Sequence, residues 1–149
     1  AYRYGDKNIR GRSASTGNRF KAGKSPMSTM APTMVFNEEG DLMLITGSPG
    51  GSLIPAAILR VITGVVDFDL DIGQATMLPR VHKDWPTTGI LYERTLNSDV
   101  VRIINKTIGH KMTPEHTMGS TQSIHIIDGT NYGFADLRRP NATVSIQAN

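Results

Sequence analysis

Residues 53–66 carry apolar side chains at Leu53, Ile54, Ala56, Ala57, Ile58, Leu59, Val61, Ile62, Val65 and Val66, with one charge, Arg60, among them. Apolar groups so spaced lie on nearly all sides of a helix, which predicts a buried core element. Upstream, Thr33 to Asn37 and Leu42 to Thr46 read as two antiparallel strands turned by Glu38-Glu39-Gly40-Asp41. Met27 to Pro32 is a turn-like approach to the first of them. Downstream, Ile72 to Met77 predicts a short helix ending before Pro79. Arg80 to Trp85 reads as extended or irregular, and Ile90 to Arg94 as a strand. A third helix spans Asp99 to Ile108, capped by Asn97 or Ser98, stopped by Gly109, with Val100, Val101, Ile104 and Ile108 as its inward stripe. Ser123 to Asp128 and Asn131 to Leu137 pair around Gly129-Thr130, and the tail from Arg138 is extended, with Pro140 unsuited to a central strand. Strands in hairpin pairs, without alternating βαβ units, predict an α+β fold: an antiparallel sheet with packed helices.

The long helix is entered through Thr46-Gly47-Ser48-Pro49-Gly50-Gly51-Ser52. With Ser52 as N-cap, Pro55 falls in the first turn, where its missing N–H costs nothing. A strand turning through two glycines into a helix leaves backbone N–H groups without intrahelical partners, at the positive end of the helix dipole. Such groups receive a phosphate, a carboxylate or a developing oxyanion. Alone, the motif reads more simply as two glycines that permit a tight turn. It is not a Walker-type phosphate loop, because no Gly-Lys-Ser or Gly-Lys-Thr follows.

Charge divides the chain unevenly. Residues 1–26 hold seven bases and one acid, a net of +6, which leaves −3 of the overall +3 for residues 27–149. This separates a basic, irregular lead-in (1–26) from a folded region (27–149). A basic arm can bind nucleic acid, with affinity falling steeply with salt. Tyr2, Tyr4 and Phe20 do not form an alternating aromatic–basic platform, so the arm reads as a solvated lead-in and no nucleic-acid partner is expected. The absence of cysteine excludes disulfides and thiolate metal sites. The longest apolar run contains Arg60 and is too short for a membrane span. The start at Ala1, without initiator Met or signal peptide, suggests a cleaved or excised chain.

His82, His110, His116 and His125 lack paired ligand spacing, so no metal or cofactor is expected. No GxSxG elbow occurs. Ser28 and Thr29, just ahead of the first strand, read as local backbone caps or as paired donors gripping a carboxylate. The first hairpin would bring them to the same end as Gly50 and Gly51, so that both groups face one pocket.

Four stretches in register carry a resemblance: Met27-Ser28-Thr29-Met30-Ala31-Pro32-Thr33, then Thr46-Gly47-Ser48-Pro49-Gly50-Gly51, then Pro79-Arg80-Val81-His82 with Trp85, then Met118-Gly119-Ser120-Thr121-Gln122-Ser123. In order and spacing, from about residue 20 to about residue 140, the chain resembles the C-terminal part of the small subunit of gamma-glutamyltransferases. The resemblance implies part of an N-terminal-nucleophile hydrolase αββα sandwich, built from two chains cut from one precursor. It implies transfer of the gamma-glutamyl group of glutathione and related amides to water, an amino acid or a dipeptide. It further implies that Gly50 and Gly51 donate the oxyanion hole and that Ser28 and Thr29 hold the substrate carboxylate.

Departures from the pattern qualify this. The family's nucleophilic threonine is followed by Thr-His or Ala-His, and neither Thr-Thr-His nor Thr-Ala-His occurs here. Thr29 replaces a commoner serine and keeps the hydroxyl, and Ala31 replaces a residue that often bears one. A chain without a nucleophile forms no acyl-enzyme. It is therefore expected to be an inactive fragment by itself, completed by a large subunit and the N-terminal part of the small subunit, with its uncovered faces favouring a homodimer. Two other readings stay open: a non-catalytic binding or interaction module derived from this fold, and a related acylase of glutaryl beta-lactam side chains. Bacterial relatives are often periplasmic or extracellular, an address that would lie outside these residues.

Overall fold

The computed structural model describes residues 21–25, 28–84 and 89–147. Most of the expected basic lead-in, together with Met27 and Trp85, lies outside the described residues. Seven strands and three helices follow in the order β1 (Thr33–Phe36), β2 (Leu42–Gly47), α1 (Ile54–Val66), α2 (Ile72–Met77), β3 (Val81–His82), β4 (Gly89–Glu93), α3 (Ser98–Ile103), β5 (Lys111–Glu115), β6 (Gln122–Ile127) and β7 (Thr130–Ala135). They form a four-stranded antiparallel sheet, β1-β2-β6-β7, and a three-stranded sheet, β3-β4-β5. The α+β expectation holds.

Register in the larger sheet sorts its side chains. Val35 lies opposite Leu44, and Thr46 opposite Ser123, which itself faces Phe134. On this face Leu44, Val61 and Val65 of α1, and Ile72 and Ala75 of α2 form the core, with Val35 and Phe134 packed against it. A buried bond of 2.8 Å between Thr46 Oγ1 and Ser123 Oγ satisfies both hydroxyls within that face. The opposite face carries Met34 and Ile124, both exposed.

The helix of residues 53–66 is buried along one side only. Ile54, Ala57, Ile58, Val61, Gly64 and Val65 are buried, whereas Leu59 and Val66 are 60% and 50% exposed. Its apolar periphery therefore exceeds what the sheet and α2 cover. The expected Ser52 cap is not formed: a 3-10 turn over Gly51–Leu53 precedes the helix, Leu53 occupies the cap position, and no side chain bonds there. Pro55 still lies in the first turn, where it removes no helical bond. α2 starts with a capping box in which Asp71 Oδ1 accepts from Gln74 N at 2.8 Å and Gln74 Oε1 accepts from Asp71 N at 3.4 Å.

Three further expectations are corrected. The third helix is α only to Ile103, continues as a π-helical turn over Ile104–Ile108, and buries none of its stripe, with Val100 and Ile108 exposed. It crosses over between β4 and β5 without covering the main sheet, so its apolar side has no core to enter. Asn97 is its cap, accepting from Asp99 N at 2.8 Å, and Gly109 stops it at φ 83°. β5, which contains Pro114, falls where no element was predicted. It pairs parallel with β4 at the edge of the small sheet, where proline is tolerated, so one βαβ unit accompanies the hairpins. The second hairpin turns through Asp128-Gly129, at φ 49° and 74°, one residue earlier than expected.

Gly64 lets the two helices of the core touch. A Cβ added there would lie 2.8 Å from Ala75 Cβ and 3.2 Å from its Cα. A helical Gly→Ala change ordinarily stabilises by about 1 kcal/mol. Here overpacking of roughly 1–3 kcal/mol opposes it. Gly64→Ala is expected to lower the thermal midpoint; a raised midpoint in calorimetry would show that the α1–α2 contact is looser than this.

Candidate oxyanion turn and its buried support

β2 ends at Gly47, and the chain reverses through Ser48-Pro49-Gly50-Gly51 into α1. Gly50 (φ 143°) and Gly51 (φ 58°) both occupy backbone space that L-residues adopt rarely. Gly50 C=O accepts from Leu53 N at 3.1 Å, closing the 3-10 turn. Among the described residues, neither the Gly50 nor the Gly51 N–H has a hydrogen-bond acceptor. The turn rests on the loop before β6. A Cβ on Gly119 would come within 2.6 Å of Ser48 Oγ, 3.1 Å of Pro49 O and 3.2 Å of Ala57 Cβ, so only glycine fits that contact. Ser48 Oγ accepts from Ser120 N at 3.0 Å and donates to Pro49 O at 2.8 Å.

That loop is held by four buried charges. Arg80 and Asp136 are 1% and 0% exposed, and Arg138 and Glu93 are 8% and 3%. Arg80 Nη1 donates to Met118 O at 2.8 Å, and Nη2 to Asp136 Oδ2 at 2.7 Å, Thr121 Oγ1 at 3.0 Å and Thr76 O at 3.2 Å. Asp136 Oδ2 also accepts from Thr121 N at 2.9 Å. Glu93 Oε1 accepts from Met118 N at 2.9 Å and Arg138 Nε at 2.8 Å, and Oε2 from Arg138 Nη2 at 2.6 Å and Arg80 N at 3.0 Å. Arg138 also donates to Thr76 O and Leu78 O at the end of α2. The network thus ties both sheets and α2 to the main chain of residues 118 and 121, directly beneath the glycine turn.

Burial raises the pKa of each carboxyl, but the donors outweigh it. Hydrogen bonds from Arg138, Met118 N and Arg80 N hold Glu93 below its ordinary value, and Arg138 N, the Arg80 charge and Thr121 N do the same for Asp136. Burial lowers Arg80, as does neighbouring Arg138, against the pull of Asp136; Arg138 is raised because Glu93 and Asp136 overcome its desolvation.

Ser28 and Thr29 are exposed ahead of β1. Ser28 Oγ accepts from Met30 N at 3.1 Å, the local capping role. The register pairs Thr33 with Thr46 at the end of the hairpin where Ser28 and Thr29 lead in and the glycine turn leads out. The hydroxyl pair and the glycine turn share an end of the hairpin without a direct hydrogen bond between them. Of the histidines, His82 pairs with Asp84 at 2.9 Å. Among the described residues no three His, Asp or Glu groups gather to hold a metal ion, and no helix is long and apolar enough to cross a membrane. Sequence reasoning gave Ser48 no role within its turn and passed over Glu93, Asp136 and Arg138. The only signal of these three was an arginine or acid at the edge of an apolar run, a pattern shared with solvated surface charges.

The α+β sheet entered through this turn, together with its structural likenesses, is that of the N-terminal-nucleophile hydrolases. The chain belongs to the gamma-glutamyltranspeptidase family, whose model matches residues 2–146. The glutathione hydrolase proenzyme of Escherichia coli (strain K12) is 35% identical over 132 residues, covering 88% of this chain and 22% of the relative. That of Bacillus subtilis (strain 168) is 31% identical over 132 residues, again covering 22% of the relative, so the chain spans about a fifth of these curated proteins. The crystal structure of the Helicobacter pylori gamma-glutamyltranspeptidase T380A mutant superposes with a TM-score of 0.81 at 30% identity, covering 93% of this chain and 76% of the other. The Pseudomonas nitroreducens enzyme complexed with L-DON has the same TM-score at 28% identity, covering 99% and 77%.

The buried network has a pH signature. Below the ordinary carboxylate range, near about pH 4, the unfolded chain takes up protons that Glu93 and Asp136 in the folded state still refuse. Their stabilisation is therefore complete above that range and is lost as pH falls through their depressed values. Glu93→Ala, which takes the acceptor from Arg138 Nε, Met118 N and Arg80 N, is expected to cost roughly 3–5 kcal/mol at pH 7 and to flatten the acid limb of stability. Urea titrations across pH check both; an unchanged acid limb in the variant would remove Glu93 from this role.

Proposed function

We propose that this chain supplies the oxyanion hole and the carboxylate grip of an enzyme that transfers or hydrolyses the gamma-glutamyl group of glutathione and related amides. The observation that carries the reading is the Gly50–Gly51 turn at the mouth of α1, whose two N–H groups meet no acceptor among the described residues, at the hairpin end shared with Ser28 and Thr29. The resemblance of the surrounding stretches to glutathione hydrolases supports it.

In this reading a threonine hydroxyl adds to the gamma-carbonyl carbon, and the carbonyl electron pair moves onto oxygen. The Gly50 and Gly51 N–H groups receive that oxyanion. Collapse breaks the C–N bond; the amine leaves with the hydroxyl proton, and an ester to threonine remains. Water or an acceptor amine then displaces the threonine. Ser28 Oγ accepts from Met30 N, which leaves its own proton to donate to the alpha-carboxylate, so capping and gripping are compatible. None of the 149 residues is assigned as nucleophile, since no Thr-Thr-His or Thr-Ala-His occurs among them, and these residues alone are expected to give no turnover.

Tests belong in the active enzyme that contains this chain. Ser28→Ala and Thr29→Val are expected to raise KM for the gamma-glutamyl donor about tenfold each, with Thr29→Ser near the parent. Gly51→Ala, at φ 58°, displaces the donor pair and is expected to lower kcat by roughly two orders of magnitude. Unchanged KM in the hydroxyl variants together with unchanged kcat in Gly51→Ala would sink the assignment.

A further inference from the structure

We infer that Ser48 is a positioning residue that aims the Gly50 N–H, an inference that rests on the oxyanion reading above. In a trans peptide the carbonyl oxygen and the following N–H point in opposite directions. Whatever fixes the Pro49 carbonyl therefore fixes the Gly50 N–H. The Pro49 carbonyl is fixed twice: Ser48 Oγ donates to it at 2.8 Å, and Gly119 packs so closely that a Cβ there would be 3.1 Å from it. The carbonyl is thus held toward the 118–121 loop, and the Gly50 N–H faces the opposite way, where no described acceptor meets it. Gly50 at φ 143° lets the chain hold this peptide orientation, which a side chain would resist.

Ser48 does not act alone. Its Oγ also accepts from Ser120 N at 3.0 Å, on a loop whose neighbouring backbone groups are bound by Arg80, Glu93 and Asp136. The hydroxyl thus relays the rigidity of a buried charge network to one exposed peptide. Without it, the Pro49–Gly50 peptide loses the one side-chain bond it has among the described residues and rotates more freely. A donor that must be aimed before charge develops is then only partly aimed, which penalises the transition state and spares ground-state binding.

The test is Ser48→Ala in the active enzyme, with rates expressed per active site titrated by a covalent inactivator so that loss of folded protein is removed. The expected result is a fall in kcat of about tenfold with KM within a factor of two, the size of one hydrogen bond. Affinity for a tetrahedral boronate analogue of glutamate should fall by the same factor, while affinity for planar glutamate stays unchanged. Gly119→Ala, which crowds Ser48 Oγ and Pro49 O without removing either, should give the same pattern and serves if Ser48→Ala does not fold. Retained kcat and boronate affinity in Ser48→Ala and Gly119→Ala, beside an impaired Gly51→Ala, would overturn the positioning role and leave the oxyanion reading standing. Retention in all three would remove the oxyanion reading as well.

Discussion

Two arginines and two carboxylates largely withdrawn from water hold together the loop and the glycine turn to which the proposal assigns the chemistry. Arg80 reaches the main chain at Met118 and the carboxylate of Asp136, while Glu93 takes the Met118 N–H and the fork of Arg138. Burying charge is costly, and such a network repays the cost only when nearly every donor and acceptor is matched. Here both carboxylates are saturated, and their lowered pKa values register that the donors win over desolvation. The buried Arg80 Nε and Thr76 Oγ1 have no partner among the described residues. What the network secures is geometry: a fixed loop at 118–121 on which a strained glycine turn can lean.

From that support the geometry of the turn follows in short steps. Gly119 lacks a side chain, so the turn can approach; Ser48 links it to Ser120; Pro49 directs its carbonyl inward. Two glycines in positive-φ conformations then lead into α1 with N–H groups that meet no acceptor among the described residues. The helix contributes its dipole only as a secondary effect, since a 3-10 turn separates it from Gly50. In the proposed role, preorganised amides of this kind would need no rearrangement when charge develops.

Local pattern made much of the fold legible. Both hairpins, α1 and α2 follow from apolar runs broken by Gly-Asp, Asp-Gly and Pro signals, because turn chemistry and helix stops are encoded within a few residues. The glycine turn was legible for the same reason, and its likeness to gamma-glutamyltransferases added a role. Other features depended on distant partners. Nothing local tells that Val100 and Ile108 of the third helix stay exposed, or that a strand containing Pro114 pairs with residues some twenty positions earlier. Nor does an isolated Glu93 or Arg138 announce burial, since the same letters serve solvated surfaces. The charge network joins residues up to 62 apart, Thr76 and Arg138, and only the assembled sheets bring them together.

The central claim is that Gly50 and Gly51 form a rigid, fold-supported receptor for a tetrahedral oxyanion. A crystal structure of the active enzyme with a boronate analogue of the gamma-glutamyl group addresses it directly. The account predicts one boronate oxygen within about 3 Å of both glycine nitrogens, with the Arg80–Asp136 and Glu93–Arg138 pairs unchanged from the free state. A boronate oxygen bound by other donors, with the glycine amides facing away, would contradict it.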